Sequence, residues 1–146
     1  MPRFLPDTSC LVAALCAWHE HSERAAREIE RRLDRGESLV VAAPALVETY
    51  AVLTRLPAPH RLSPADSRAL LEANFLGADV ETVALEADAY HYLLREAPER
   101  GIAGGSIYDA VIIACGLAAR VDALLTFNER QFQALAVQRI AIVVPS

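Results

Sequence analysis

Apolar positions along the chain follow two rhythms. Short, nearly unbroken apolar runs occur at Arg3–Pro6, Leu39–Ala43, Val80–Val83, Ala123–Thr126 and Arg139–Val144. Runs of that length without polar alternation predict strands covered on both faces. Between them the spacing becomes helical. Ala25, Ile29 and Leu33 recur at i, i+4 and i+8 with charge elsewhere, which predicts a helix over 23–35. Pro44 suits the first position of the next helix, which runs to about Arg55. Ser63-Pro64-Ala65-Asp66 reads as a capping box with proline at the first helical position, opening a helix to about Leu76. Two more helices are predicted over 85–97 and 106–119. The last is apolar nearly all round (Ile107, Val111, Ile112, Ile113, Leu117), which predicts burial on several sides.

Short apolar strands alternating with helices predict an α/β fold: a parallel sheet of about five strands with helices on both faces. A length of 146 residues fits one domain, 1–146. Ligand sites in such sheets gather beyond the carboxyl ends of the strands. Any motif that carries chemistry is expected there.

Composition narrows the chemistry. The chain is 53% hydrophobic and 23% charged, a globular balance. No apolar run reaches the roughly 18 residues of a membrane span, and Met1–Asp7 lacks the apolar stretch of a secretory signal. Cys10, Cys16 and Cys115 have no CxxC spacing and an odd count, so reduced core thiols in a cytoplasmic protein are expected. All 14 basic residues are Arg. Without Lys there is no P-loop and no Schiff-base chemistry. Four scattered His give no zinc pattern. At a net charge of −5, bulk charge does not hold the chain on nucleic acid. Local Arg and bound metal would have to do so.

Acidic and polar residues stand where the ligand rule points. Asp7 follows the first strand in Asp7-Thr8-Ser9. Glu48 lies one turn into the helix after the second strand. Asp109 lies in the first turn of the apolar 106–119 helix, and Thr126 and Asn128 follow another strand. Each alone has a plain structural reading. Asp7 can accept bonds from the next helix start, Asp109 can complete a capping box with Ser106, and Asn128 can cap a short C-terminal helix. Glu48 resists such a reading, because it stands among Leu46, Val47, Tyr50 and Val52 with no Arg before Arg55. A carboxylate there is snorkelled, paired or metal-bound, because burying it alone is too costly. Together, three carboxylates on one rim raise one another's pKa and call for a cation. Oxygen ligands without His or Cys favour Mg²⁺ or Mn²⁺ over Zn²⁺.

Other signals read more simply. Arg24, Arg27, Arg31 and Arg35 form a helix stripe, but Glu23, Glu28, Glu30 and Asp34 interleave, so surface ion pairs are expected. Trp18-His19-Glu20-His21 reads as a partly exposed helix connection, with RNA stacking or gating of a site as the other reading. Tyr90-His91-Tyr92 reads as core plus helix surface.

Taken in order, four segments resemble the PIN-domain ribonucleases, in particular the VapC toxins of prokaryotic toxin–antitoxin pairs. They are Asp7-Thr8-Ser9, Pro44-Ala45-Leu46-Val47-Glu48, Ser106-Ile107-Tyr108-Asp109-Ala110, and Leu124 through Phe132. The resemblance runs nearly end to end. It implies a three-layer α/β/α sandwich and Mg²⁺- or Mn²⁺-dependent endonucleolytic cleavage of RNA. It also implies a homodimer and a small antitoxin that covers the active site. Carried onto this chain, Asp7, Glu48 and Asp109 would hold the metal. Thr8 or Ser9, with Thr126, would orient the carboxylates or the water. Asn128 stands where many relatives carry a fourth Asp; its carbonyl can still hold a metal or a metal-bound water, but it adds no charge. Two other functions remain on the residues alone. One is a phosphohydrolase with Asp7 as nucleophile. The other is a non-catalytic binding module.

Overall fold

The computed structural model describes residues 2–135 and 139–146. Along the chain run β1 (Arg3–Pro6), α1 (Thr8–Leu15), α2 (Ser22–Asp34), β2 (Ser38–Ala42), α3 (Ala43–Arg55) and α4 (Pro64–Phe75). Then follow β3 (Glu81–Val83), α5 (Ala87–Glu96), α6 (Ser106–Ala118), β4 (Ala123–Leu125), α7 (Glu129–Ala134) and β5 (Ala141–Val143). The strands form one parallel sheet in the order β3-β2-β1-β4-β5. The predicted three-layer α/β/α sandwich is the observed fold.

The uniform apolar runs become the interior of the sheet. Phe4, Leu5, Val40, Val41, Leu124 and Leu125 are fully buried, as parallel strands covered on both faces require. The edge strands β3 and β5 are shorter and more exposed. Most strand ends fall one or two residues from their predicted positions. Ala43 belongs to α3, and Val80, Thr126, Arg139 and Val144 lie just outside their strands.

From β1 the chain builds outward through β2 to β3, then returns to place β4 on the other side of β1. The topological switch point therefore lies between β1 and β4. Their register pairs Pro6 with Leu125, and the Asp7 N–H donates to the Leu125 carbonyl at 2.9 Å. A crevice at the carboxyl ends of such a pair is where open α/β sheets bind ligands.

Two helices depart from their sequence reading. In α6, Ile112, Ile113 and Cys115 are buried, but Tyr108 and Leu117 are exposed. The helix therefore presents one side to solvent. The Tyr90–Tyr92 segment supplies little core, since α5 buries only Leu93, Tyr90 is half-buried and His91 and Tyr92 are exposed. Where α6 passes close to the sheet it carries Gly116; a methyl there would meet Val121 at 3.1 Å and Ile140 at 3.2 Å. All three cysteines are free and buried. Burial pushes Cys115 up to about 11 and Cys10 much further, with the Asp7 charge adding to the latter. Such thiols are poor nucleophiles. Among the described residues no helix is long and apolar enough to cross a membrane.

Candidate active site

Asp7 caps α1. Its Oδ1 accepts from the Cys10 N–H at 3.0 Å, so the plain structural reading of this residue is correct. The cap is only part of its environment. Ser9 Oγ donates to Oδ1 and Thr126 Oγ1 donates to Oδ2, both at 2.6 Å. These hydroxyls are themselves held. Ser9 Oγ accepts from the Phe127 N–H at 3.1 Å, and Thr126 Oγ1 from the Asn128 N–H at 2.8 Å. An ionised carboxylate offers about four acceptor positions. Three are used here, and the open one is on Oδ2. The residue is only 2% exposed. Burial pushes its carboxyl above the usual range, against the Ser9, Thr126 and Cys10 donors, which pull it down.

Asp7, Thr8, Ser9, Glu48, Asp109 and Asn128 line one cavity of about 440 Å³. The backbone explains the convergence. Asp7 and Asn128 extend β1 and β4 past the switch point, while Glu48 and Asp109 sit near the starts of α3 and α6. Asp109 is not part of a capping box. Gly104, at a φ of 58°, makes the turn into α6, and Ser106 Oγ spends its bonds on Ala103. That leaves the Asp109 carboxyl free. It is pushed up to about 6 by burial first, and then by the charges of Asp7 and Glu48. The three acids therefore share a field. Asn128 makes no side-chain cap on α7, so its amide is also uncommitted.

Glu48 is half-buried, as a snorkelled or metal-facing carboxylate would be, beside Val47, which is 71% exposed. The side of α3 that carries Val47 and Tyr50 faces solvent, so the apolar sequence of this helix does not amount to burial all round. Ser9, not Thr8, grips Asp7, and Thr8 Oγ1 is buried in the cavity wall without a partner.

The remaining lining is Val12, His19, Glu20, His21, Val52 and Phe127, so the site-gating or stacking reading of the Trp18–His21 segment is the one its position favours. The Trp18–His21 connection folds over the acids instead of lying apart from them. His21 stacks on Phe127 at 4.4 Å and 16°. The Arg24 guanidinium donates to His21 Nδ1 and lies 5.7 Å from the Phe127 ring centre. The rest of the Arg stripe is structural. Arg27 pairs with Glu23, Arg31 and Arg32 with the buried Glu28, and Arg35 with Glu37. Burial raises Glu28, but Arg32 and Arg31 outweigh it and hold the carboxyl below its ordinary value.

No Arg lines the acid cavity. Among the described residues no group of three or more Asp, Glu, His or Cys side chains stands close enough to hold one metal ion between them. An open arrangement suits Mg²⁺, which takes one or two carboxylates directly and keeps several waters. The donor set fits such an ion: hard oxygens, an open position on Asp7, and an orphaned hydroxyl on Thr8. A covalent role for Asp7 fits less well, since three donors engage its oxygens and almost none of it is exposed.

The PIN domain family profile matches residues 4–138. The chain belongs to the PIN domain family. Ribonuclease VapC40 of Mycobacterium tuberculosis is 44% identical over 110 residues, covering 73% of this chain and 73% of that protein. Ribonuclease VapC27 of the same organism is 34% identical over 100 residues, covering 68% of this chain and 59% of that protein. The crystal structure of Mycobacterium tuberculosis VapC20, described as a sarcin–ricin loop cleaving toxin, matches this PIN domain with a TM-score of 0.70. Its identity is 18%, over 92% of this chain and 97% of that one. VapBC2 from Rickettsia felis, bound to a promoter DNA fragment, matches with a TM-score of 0.68 at 14% identity, over 99% of both chains. At such identities the structural likeness establishes the fold alone.

Proposed function

We propose that this PIN domain, spanning residues 1–146, is a Mg²⁺- or Mn²⁺-dependent endoribonuclease. In this reading it is the toxin of a toxin–antitoxin pair. One observation carries the chemistry: Asp7, Glu48 and Asp109, from three separate segments, line one cavity that holds no Arg, and Asp7 and Glu48 add to the raised pKa of Asp109. Acids arranged in this way repel a phosphodiester unless a cation reverses the sign of the site. Asp7, Glu48 and Asp109 would hold such an ion, with Ser9 and Thr126 fixing the Asp7 oxygens, and when bound it would supply that charge and lower the pKa of a water. The Asn128 amide orients the attacking water or a phosphate oxygen through its carbonyl or NH₂. The names of VapC40 and VapC27 support ribonuclease activity, and complexes such as VapBC2 support a small antitoxin as partner. Exposed Val47, Leu94 and Tyr108 suit a homodimer.

The test uses purified protein and a single-stranded RNA. Cleavage is expected with Mg²⁺ or Mn²⁺ and none with a chelator. Because water attacks, a 2′-deoxy substitution at the cut nucleotide leaves cleavage intact and no 2′,3′-cyclic phosphate forms. Cleavage in excess chelator, or a cyclic phosphate end, would remove the metal-activated water from the reading.

Thr126→Val keeps the shape of a buried residue but deletes the donor to Asp7 Oδ2 and the acceptor for Asn128 N–H. Partners that orient metal ligands are worth about 10- to 100-fold in metal affinity. The Mn²⁺ concentration that half-saturates cleavage is expected to rise by that factor, with the rate at saturation much less affected. An unchanged Mn²⁺ requirement would show that the hydroxyl does not act through Asp7.

A further inference from the structure

Five aromatic rings run without a break from the surface to the acid cavity. His60 stacks on Trp18 at 4.1 Å and 20°, and Trp18 lies 5.8 Å from His19. His19 lies 5.5 Å from His21, which stacks on Phe127. The run joins residues distant in sequence: the α1–α2 connection, the α3–α4 loop and the end of β4. Its inner rings, His19, His21 and Phe127, line the same cavity as Asp7, Glu48 and Asp109. Its outer end is open. His60 is exposed, and Trp18 stays 47% exposed although one neighbour stacks on it. A ring that serves packing alone buries its area. Here two stacked pairs, His60–Trp18 and His21–Phe127, are joined through His19 by tilted contacts at 43° and 47°, and solvent reaches the outer pair.

The charge of the protein leaves a role for such a surface. A net charge of −5, with no Lys and no Arg in the cavity lining, gives RNA little electrostatic hold. Beyond the ion, stacking adds affinity for unpaired RNA, and it is tolerant of sequence because every base has a π-face. Arg24, fixed to His21 and Phe127, supplies a cation at the inner end. We propose that the His60–Trp18–His19–His21–Phe127 run is a stacking track that seats unpaired nucleotides beside the acids. Paired bases cannot use it, so the track selects single-stranded or looped RNA. This rests on the ribonuclease reading and adds to it the form of RNA taken.

Trp18 is the sole tryptophan, so its emission reports on the track directly. The full chain is titrated, with Ca²⁺ in place of Mg²⁺ so that the acids carry a cation, with an eight-nucleotide single-stranded RNA and with a blunt RNA duplex. The single strand is expected to quench emission to saturation, and the duplex to leave it unchanged. In cleavage of the same single strand, Trp18→Ala and His60→Ala are each expected to raise KM by about 5- to 150-fold, the size of one lost stack. Their kcat stays within about threefold of the parent, and Trp18→Phe returns most of the affinity. Circular dichroism confirms that each variant folds. If the single strand gives no quench, or if both alanine variants cleave with the parental KM, the track is overturned while the ribonuclease reading stands. Emission that responds only to a protein partner overturns it as well. A parent that quenches with RNA but cleaves none with either metal retains the track and removes the nuclease.

Discussion

Asp7→Asn is expected to lower RNA cleavage by about a thousandfold or more at saturating Mg²⁺, with the fold intact. The metal's charge stabilisation of the transition state is worth several kcal/mol, and about 1.4 kcal/mol corresponds to a factor of ten in rate. The substituted amide keeps the shape of the side chain, and its carbonyl still accepts from Ser9 and the Cys10 N–H. Its NH₂ can donate to Thr126 Oγ1, whose hydroxyl then turns away. What disappears is the charge that holds the ion. Burial already pushes the Asp7 carboxyl upward, so the metal-free protein loses nothing when that charge goes. Asp7→Ala is a poorer test, because it leaves three donors facing an empty space at about 1–3 kcal/mol for each one left unsatisfied. Single-turnover cleavage and thermal unfolding, measured on the same preparation, separate the two effects. An Asp7→Asn variant that cuts RNA at the parental rate would remove Asp7 from the chemistry.

The architecture is legible because its interior strands carry no competing signal. Phe4-Leu5, Val40-Val41 and Leu124-Leu125 are apolar on both faces, and only a covered parallel sheet accommodates that. Asp7 and Asn128 are legible because chain topology brings the ends of β1 and β4 together, and Glu48 and Asp109 because they stand near the starts of α3 and α6. The aromatic wall is not. Trp18-His19-Glu20-His21 has no periodicity, and its position depends on α1 stopping at Leu15. His60 reaches it from a loop about forty residues away. No local pattern states that two such loops meet. The surroundings of Glu48 are less legible, for a different reason. Apolar neighbours imply burial only when every side of the helix is covered, and α3 leaves Val47 and Tyr50 in solvent. Asp109 and Ser106 have capping-box spacing, but the turn through Gly104 and Gly105 starts α6 at Ser106 itself. The box therefore has no cap residue, and the carboxyl is left for the cavity.

That uncommitted carboxyl gives the second large effect, in which stability and activity move in opposite directions. Asp109→Asn is expected to reduce cleavage by about a hundredfold or more, through loss of one acid from the ion site. It is also expected to stabilise the metal-free protein at pH 7.5. Asp109 is raised in the fold from 3.8 to about 6, by burial and then by Asp7 and Glu48. A raised carboxyl favours the fold while protonated, and that contribution is lost as pH climbs through about 6. At pH 7.5 the parent therefore carries the full cost of the ionised group, and the neutral amide carries none. With solvent screening that cost is about 1 kcal/mol, so the metal-free variant melts about 2–4 °C higher. The gap closes as pH falls toward 4, where both side chains are neutral. Saturating Mn²⁺ reverses the order, because the ion stabilises the parent by mass action and the variant much less. Melting curves at pH 4.5 and 7.5, with chelator and with Mn²⁺, contain all four comparisons. If Asp109→Asn gives no gain at pH 7.5 in chelator, the acids do not repel one another, and there is no physical reason for a cation between them.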